Sequence, residues 1–182
     1  MHIAEKTTTA MRSPVVNEAE GLARHLAPPI SLPAGLRWGP SRHEPATLWI
    51  TGHDAGELAA LGRAVDSALA TLGRPARLLD DGMGAAGELP RPDASSRVRN
   101  AAATAAALVG DGVIAIVVID GRRVRDRELA RLAHEARGLA FYEVFVDSPT
   151  DTSNGYEIPP LPDLVVFPGP LVATLASVMS LL

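Results

Sequence analysis

At 182 residues and 19.0 kDa the chain has the size of one domain, enough to bury about two-thirds of its unfolded surface. Hydrophobic residues make up 47% and charged residues 21%, and 17 basic against 21 acidic groups give a net charge of −4, which excludes a disordered chain and offers no electrostatic case for nucleic-acid binding. The absence of cysteine excludes a disulfide framework, a thiolate metal site and a cysteine nucleophile, and no apolar run approaches the roughly twenty residues of a membrane helix.

Residues 1–45 read as a partly ordered N-terminal extension, rich in turn-formers such as Pro28, Pro29, Pro33, Gly35 and Pro40. Only 17–26 has helical periodicity. An arm that binds a partner is the other reading of this stretch. Residues 1–14 lack the apolar core of a signal peptide, so a cytoplasmic location is expected.

From Ala46 to the end, short β-branched runs alternate with longer amphipathic stretches, the pattern of parallel strands joined by crossover helices. Strands are predicted at 47–51, 76–79, 113–119, 141–146 and 163–166. The run 113–119 has no polar alternation, so both of its faces should be covered and the strand should be central. Leu58, Leu61, Val65, Ala68, Leu69 and Leu72 recur at helical steps, with Gly73 as a stop signal. Val98, Ala101, Ala102, Ala105 and Leu108 repeat the pattern after the capping residues Asp93 and Ser95. Leu129, Leu132, Ala133 and Ala136 mark a third helix ending near Gly138, and 170–182 a fourth. The expected fold is α/β: a five-stranded parallel sheet between two layers of helices.

In such sheets ligands bind beyond the carboxyl ends of the strands, so chemistry is first sought after Thr51, in Gly52-His53-Asp54-Ala55-Gly56-Glu57-Leu58-Ala59-Ala60. A working phosphate loop reads G-x-x-x-x-G-K-S/T, with backbone amides around the phosphates, a lysine on the terminal ones and a hydroxyl on magnesium. This turn has the place and part of the glycine content, but none of that side-chain chemistry. The chain's only lysine is Lys6.

From Ala46 onward the sequence resembles the adenylyl-sulfate kinases, which phosphorylate the ribose 3′-hydroxyl of adenylyl sulfate with MgATP. Ala46-Thr47-Leu48-Trp49-Ile50-Thr51-Gly52 resembles that family's first strand, and Leu78-Leu79-Asp80 its L-L-D-G-D segment. Arg97 and Asn100 fall in a D-R-x-x-N-like context, and Asp126-Arg127-Glu128 matches its D-R-E. The strand Phe141-Tyr142-Glu143-Val144-Phe145-Val146-Asp147-Ser148-Pro149 matches F-x-E-V-F-V-D-S/T-P, and Tyr156-Glu157 with Pro162-Asp163-Leu164-Val165 match Y-E and P-D-L-V. The resemblance implies a P-loop kinase fold.

Departures from the pattern fall on the chemistry. Leu58 stands where the phosphate-binding lysine belongs, and Ala59 and Ala60 replace the hydroxyl residues. Each lost charged hydrogen bond is worth about 1.5–3 kcal/mol. Asp54 and Glu57 add acids, and a unit charge about 4 Å from a phosphate charge is repelled by roughly 4 kcal/mol at an effective dielectric of about 20. The family's long basic lid is reduced to 150–155, the arginines that follow its asparagine are replaced by Ala101, Ala102 and Ala103, and its I-S-P turn has become Ile119-Asp120-Gly121-Arg122-Arg123.

Candidate catalytic residues are Asp80, matching the first acid of D-G-D, and His53, which with Asp54 would make a general-base pair. Asp80 reads equally as a turn cap. Candidate ligand-binding residues are Gly52, Gly56, Arg97, Asn100, Arg122 and Arg123. For Arg97 and Asn100 the alternative is a solvated helix face, and for the cluster Arg122, Arg123, Arg125 and Arg127 a solvated loop. The histidines show no metal-ligand spacing, and no metal or cofactor is expected, MgATP included. The expected protein is a degenerate adenylyl-sulfate-kinase-like module that binds a sulfonucleotide or a protein partner of sulfate activation, with a homodimer open. A repurposed enzyme using the same cleft, and a divergent kinase, are the alternatives.

Overall fold

The computed structural model describes residues 44–80, 93–148, 155–167 and 169–182. The expected helix at 17–26 and the shortened lid at 150–154 lie outside these residues. Five strands and four helices follow one another along the described chain: β1 (Ala46–Gly52), α1 (Ala55–Thr71), β2 (Ala76–Asp80), α2 (Ala94–Gly110), β3 (Ile114–Val118), α3 (Val124–Glu135), β4 (Ala140–Val146), β5 (Leu164–Val166) and α4 (Leu171–Met179). Every strand pairing is parallel, in the order β2-β3-β1-β4-β5. The predicted run 113–119 is an interior strand with all five residues of β3 buried, while β1 takes the middle position.

Alternation along β1 sorts the core into two layers. Leu48 and Ile50 join α1 and α4 through Leu61, Val65, Leu69, Leu175 and Val178, while Trp49 faces the other way among Val98, Ala105, Val117 and Phe141 under α2 and α3. Trp49 stacks on Phe141 with ring centroids 5.7 Å apart. Asp93 caps α2 by accepting from the Ser96 amide at 2.9 Å, as the capping run anticipates.

Helix α3 is where the periodicity misleads. Its buried face is Arg127, Ala130 and His134, and the apolar stripe Leu129, Leu132, Ala133 and Ala136 faces outward. Polar side chains occupy the inner face because each has partners there. His134 lies between the Ala130 carbonyl, 2.8 Å from Nδ1, and the Thr47 hydroxyl, 2.9 Å from Nε2. A proton on Nδ1 donates to the carbonyl and leaves Nε2 to accept from Thr47.

Burial holds the His134 imidazole below its ordinary pKa of 6.5, the Ala130 bond offsetting part of the effect and nearby Arg137 adding to it. As pH falls through 6.5 the unfolded chain takes up this proton before the folded one does. The stability tied to neutral His134 is therefore complete above that pH and declines as pH drops toward the folded-state value. Urea midpoints should fall between about pH 7.5 and 5.5, and the slope should be shallower in His134→Gln.

Candidate functional site

The chain order β2-β3-β1-β4-β5 reverses direction between β1 and β3, and a cavity of about 250 Å³ opens where those two strands end. Gly52 and His53 come from the end of β1, Asp80 from the end of β2, Asp120 and Arg122 from the turn after β3, and Tyr156 from the segment before β5. Thus Gly52, His53, Asp80 and Arg122, four of the eight candidates, share one cavity.

The turn into α1 is closed on itself. Asp54 is the N-cap, and its Oδ1 accepts from the Gly56 amide at 2.7 Å and the Glu57 amide at 3.0 Å. Gly56 leaves room for this: a Cβ there would stand 3.1 Å from the same oxygen. A carboxylate on the first-turn amides also meets the positive end of the helix dipole. Aligned on G-x-x-x-x-G-K-S/T from Gly52, Glu57 takes the second glycine's place, Leu58 the lysine's and Ala59 the hydroxyl's. Leu58 is buried in the core beneath β1.

Gly52 has a packing reason to be glycine, because a Cβ would lie 2.6 Å from the Val146 carbonyl on β4 and 3.2 Å from Leu58 Cδ2. His53 sits edge-on to Tyr156, centroids 4.6 Å apart, and 6.2 Å from the Phe145 ring. Asp54 Oδ1 is committed to the helix cap.

The arginines divide. Arg122 meets Asp120 at 2.8 Å, and Arg97 reaches the same carboxylate at 3.7 Å. Arg123 occupies the α3 N-cap position without a side-chain cap bond and lines a neighbouring, wider cleft with Ser95, Asp120 and Asp126. Asn100 is exposed on α2 and lines neither. Arg127 is no part of a solvated loop: it is 2% exposed. Its Nε donates to Glu143 at 2.7 Å, one terminal nitrogen to the Gly121 carbonyl and the other to the Glu157 carbonyl, both at 2.6 Å. Its guanidinium also lies 5.0 Å from the centre of the Tyr156 ring.

Tyr156, absent from the sequence-derived candidates, lines the cavity beside Thr51 and His53. Its hydroxyl meets Thr51 Oγ1 at 2.8 Å, and its ring stacks on Phe145. Burial raises the phenol above its ordinary pKa, with the Thr51 bond and Arg127 pulling the other way. A phenol held neutral here donates or accepts hydrogen bonds and does not supply a nucleophilic phenolate. Among the described residues no cluster of three or more histidine and acidic side chains could hold a metal ion, and no helix is long and apolar enough to cross a membrane.

Residues 44–158 match the family model for adenylylsulphate kinase. The chain belongs to the adenylylsulphate kinase family. A cysteine-to-alanine variant of the Mycobacterium tuberculosis APS kinase CysC is 26% identical, over 76% of this chain and 96% of that one, with a TM-score of 0.65. The same enzyme in complex with AMPPNP and APS is 24% identical over 76% and 97%, with a TM-score of 0.67. A hexameric APS kinase from Thiobacillus denitrificans, 24% identical with a TM-score of 0.63, matches 75% of this chain and 29% of its own. The last two likenesses speak to fold alone.

Within this adenylylsulphate kinase scaffold the motifs shared with the family meet at Arg127. The D-R-E arginine pairs with the glutamate of the F-x-E-V-F-V-D strand and holds the Y-E segment, whose Glu157 carboxylate in turn accepts from the Val124 amide at 2.8 Å. Arg131 adds Asp163 of P-D-L-V at 2.6 Å. Asp126 accepts from Ser95 at 2.8 Å, tying α3 to α2. Sequence reasoning missed this hub because a run of arginines reads as solvated; the D-R-E match was the available signal.

Removing one partner of a buried pair leaves the other charge without compensation, so Arg127→Met should cost about 3–5 kcal/mol in denaturant unfolding, against under about 0.5 kcal/mol for exposed Arg122→Met. Gly52→Ala, which drives a methyl into the Val146 carbonyl, should cost about 1–3 kcal/mol in the same assay.

Proposed function

We infer that this member of the adenylylsulphate kinase family does not transfer phosphoryl groups from MgATP and acts as a sulfonucleotide-binding module, through which it engages a protein partner of sulfate activation. One observation carries the reading: the Asp54 carboxylate already sits on the Gly56 and Glu57 amides, the donors a triphosphate would need. A bound phosphate would have to displace it and then face its charge and that of Glu57. The buried Leu58 and the methyl of Ala59 supply neither a cation for the phosphates nor an oxygen for magnesium. Phosphoryl transfer depends on positioning and on cations that absorb developing charge, so these residues do not fit MgATP.

The other half of the cleft supports binding. Arg97 and Arg122 stand around Asp120, and Tyr156 offers an aromatic wall braced by Arg127. Arg122 lines the cavity beside Asp120, where a guanidinium can meet a single sulfate or phosphate group. A second reading, a different reaction in the same cleft, is favoured by His53, Asp80 and Tyr156 lining one cavity.

Calorimetric titration with adenylyl sulfate, its 3′-phosphorylated product and ATP, each with and without magnesium, tests both. Adenylyl sulfate should bind without a magnesium requirement, and ATP should show no magnesium-dependent binding. Arg122→Ala should weaken adenylyl sulfate by roughly tenfold, the loss of a charge-assisted bond. Turnover of adenylyl sulfate with ATP by the unaltered chain would end the first reading. Turnover without ATP that disappears in His53→Ala would establish the second.

A further inference from the structure

The turn after β3 holds an anion of its own. Asp120 Oδ1 accepts from Arg122 Nε at 2.8 Å, and its other oxygen lies 3.7 Å from the guanidinium of Arg97 on α2. The backbone that follows is pinned: the Gly121 amide donates to the Ile119 carbonyl at 2.8 Å, the Gly121 carbonyl accepts from buried Arg127, and the Arg122 carbonyl accepts from the Glu157 amide at 2.9 Å. Asp120 therefore stays beside the two arginines as a tethered carboxylate. The side chains are open to solvent, 40% exposed for Asp120, 50% for Arg122 and 29% for Arg97, so these pairs stabilise the fold little and a ligand can reach them. Asp120 and Arg122 line both the cavity at the strand ends and the wider cleft beside it. Asp80 adds a second carboxylate to the cavity, so its one lining arginine faces two acids.

We propose that Asp120 is a specificity-determining residue that fixes the charge of the anionic group the cleft accepts, admitting a singly charged sulfate ester or phosphate diester and rejecting a doubly charged phosphate monoester. The inference rests on the reading that a sulfonucleotide binds here and adds which form of anion the ligand must carry. A group that meets Arg122 approaches a guanidinium already paired with Asp120, and each negative charge it brings is repelled by that carboxylate and by Asp80. A sulfate ester or a diester brings one charge, which the arginines still attract. A phosphate monoester, with a second pKa of about 6, brings almost two at neutral pH and meets roughly twice the repulsion. Selection here works by an unfavourable contact with the wrong ligand, since Arg97 and Arg122 alone would favour the more highly charged group.

Adenosine 5′-sulfate and adenosine 5′-phosphate, alike in shape and differing by about one charge at pH 7.5, test this in calorimetric titrations of the full chain. The unaltered chain should bind the sulfate ester at least about threefold more tightly than the phosphate. Asp120→Asn, a near-isosteric change at an exposed position, should leave the thermal midpoint unmoved and raise affinity for the phosphate at least about tenfold, and for the sulfate ester by less, so that the order reverses. Asp120→Ser should reverse it too, and Asp120→Glu, which keeps the charge, should not. A preference for the phosphate in the unaltered chain, or an order that neither neutral variant changes, would overturn the proposal. Should the unaltered chain bind neither ester, the sulfonucleotide reading fails, and Asp120→Asn with inorganic phosphate decides the proposal separately: binding gained supports it, and none gained overturns it.

Discussion

A single buried guanidinium sets the geometry of the cleft. Arg127 is surrounded by three different pieces of chain: the carboxylate of Glu143 on β4, the Gly121 carbonyl after β3, and the segment before β5, through the Glu157 carbonyl and the Tyr156 ring. Taking such a charge out of water is expensive, and the penalty is met only because every face of the group has a partner. The consequence is cooperative. The turn after β3 and the segment before β5 are irregular backbone, and they keep their places in the cavity wall because they supply oxygens that the buried charge cannot do without.

A boundary between scaffold and chemistry follows. On the scaffold side, Arg127, Glu143, Glu157 and Asp163 of the shared motifs are joined, with Arg131, in one connected network. On the chemical side stands a turn in which a carboxylate replaces the anion that a phosphate loop would receive from solution. Asp54 stabilises α1 by accepting from two first-turn amides across a short tether. The same bond both strengthens the helix and occupies two of its first-turn amides.

Much of the fold was legible because parallel strands buried on both faces leave continuous apolar runs, and all five were placed within a residue or so of their limits. The approximate limits of α1, α2 and α4 followed from periodicity and caps. Helix α3 was located but turned the wrong way round, because apolar spacing assigns Leu129 and Leu132 inward and has no means of knowing that Arg127 and His134 have buried acceptors. Those acceptors are distant in sequence, Glu143 on the next strand and Thr47 on the first. The candidate site was legible in part. Gly52, His53, Asp80 and Arg122 meet in one cavity, Arg97 borders it through Asp120, and Asn100 lies elsewhere. Tyr156 was visible only as a motif letter, since its place beside Thr51, His53 and Arg127 rests on contacts distant in sequence.

Gly52 bears on how such loops are recognised at all. The residue is kept by its closeness to the Val146 carbonyl, a demand of strand-to-strand packing that persists whether or not a nucleotide is ever bound. A glycine at this place answers to the packing of the fold, whereas a lysine and a hydroxyl in the same turn would answer only to a bound substrate. A fingerprint weighted toward glycines therefore reports ancestry, and competence has to be read from the side chains between them.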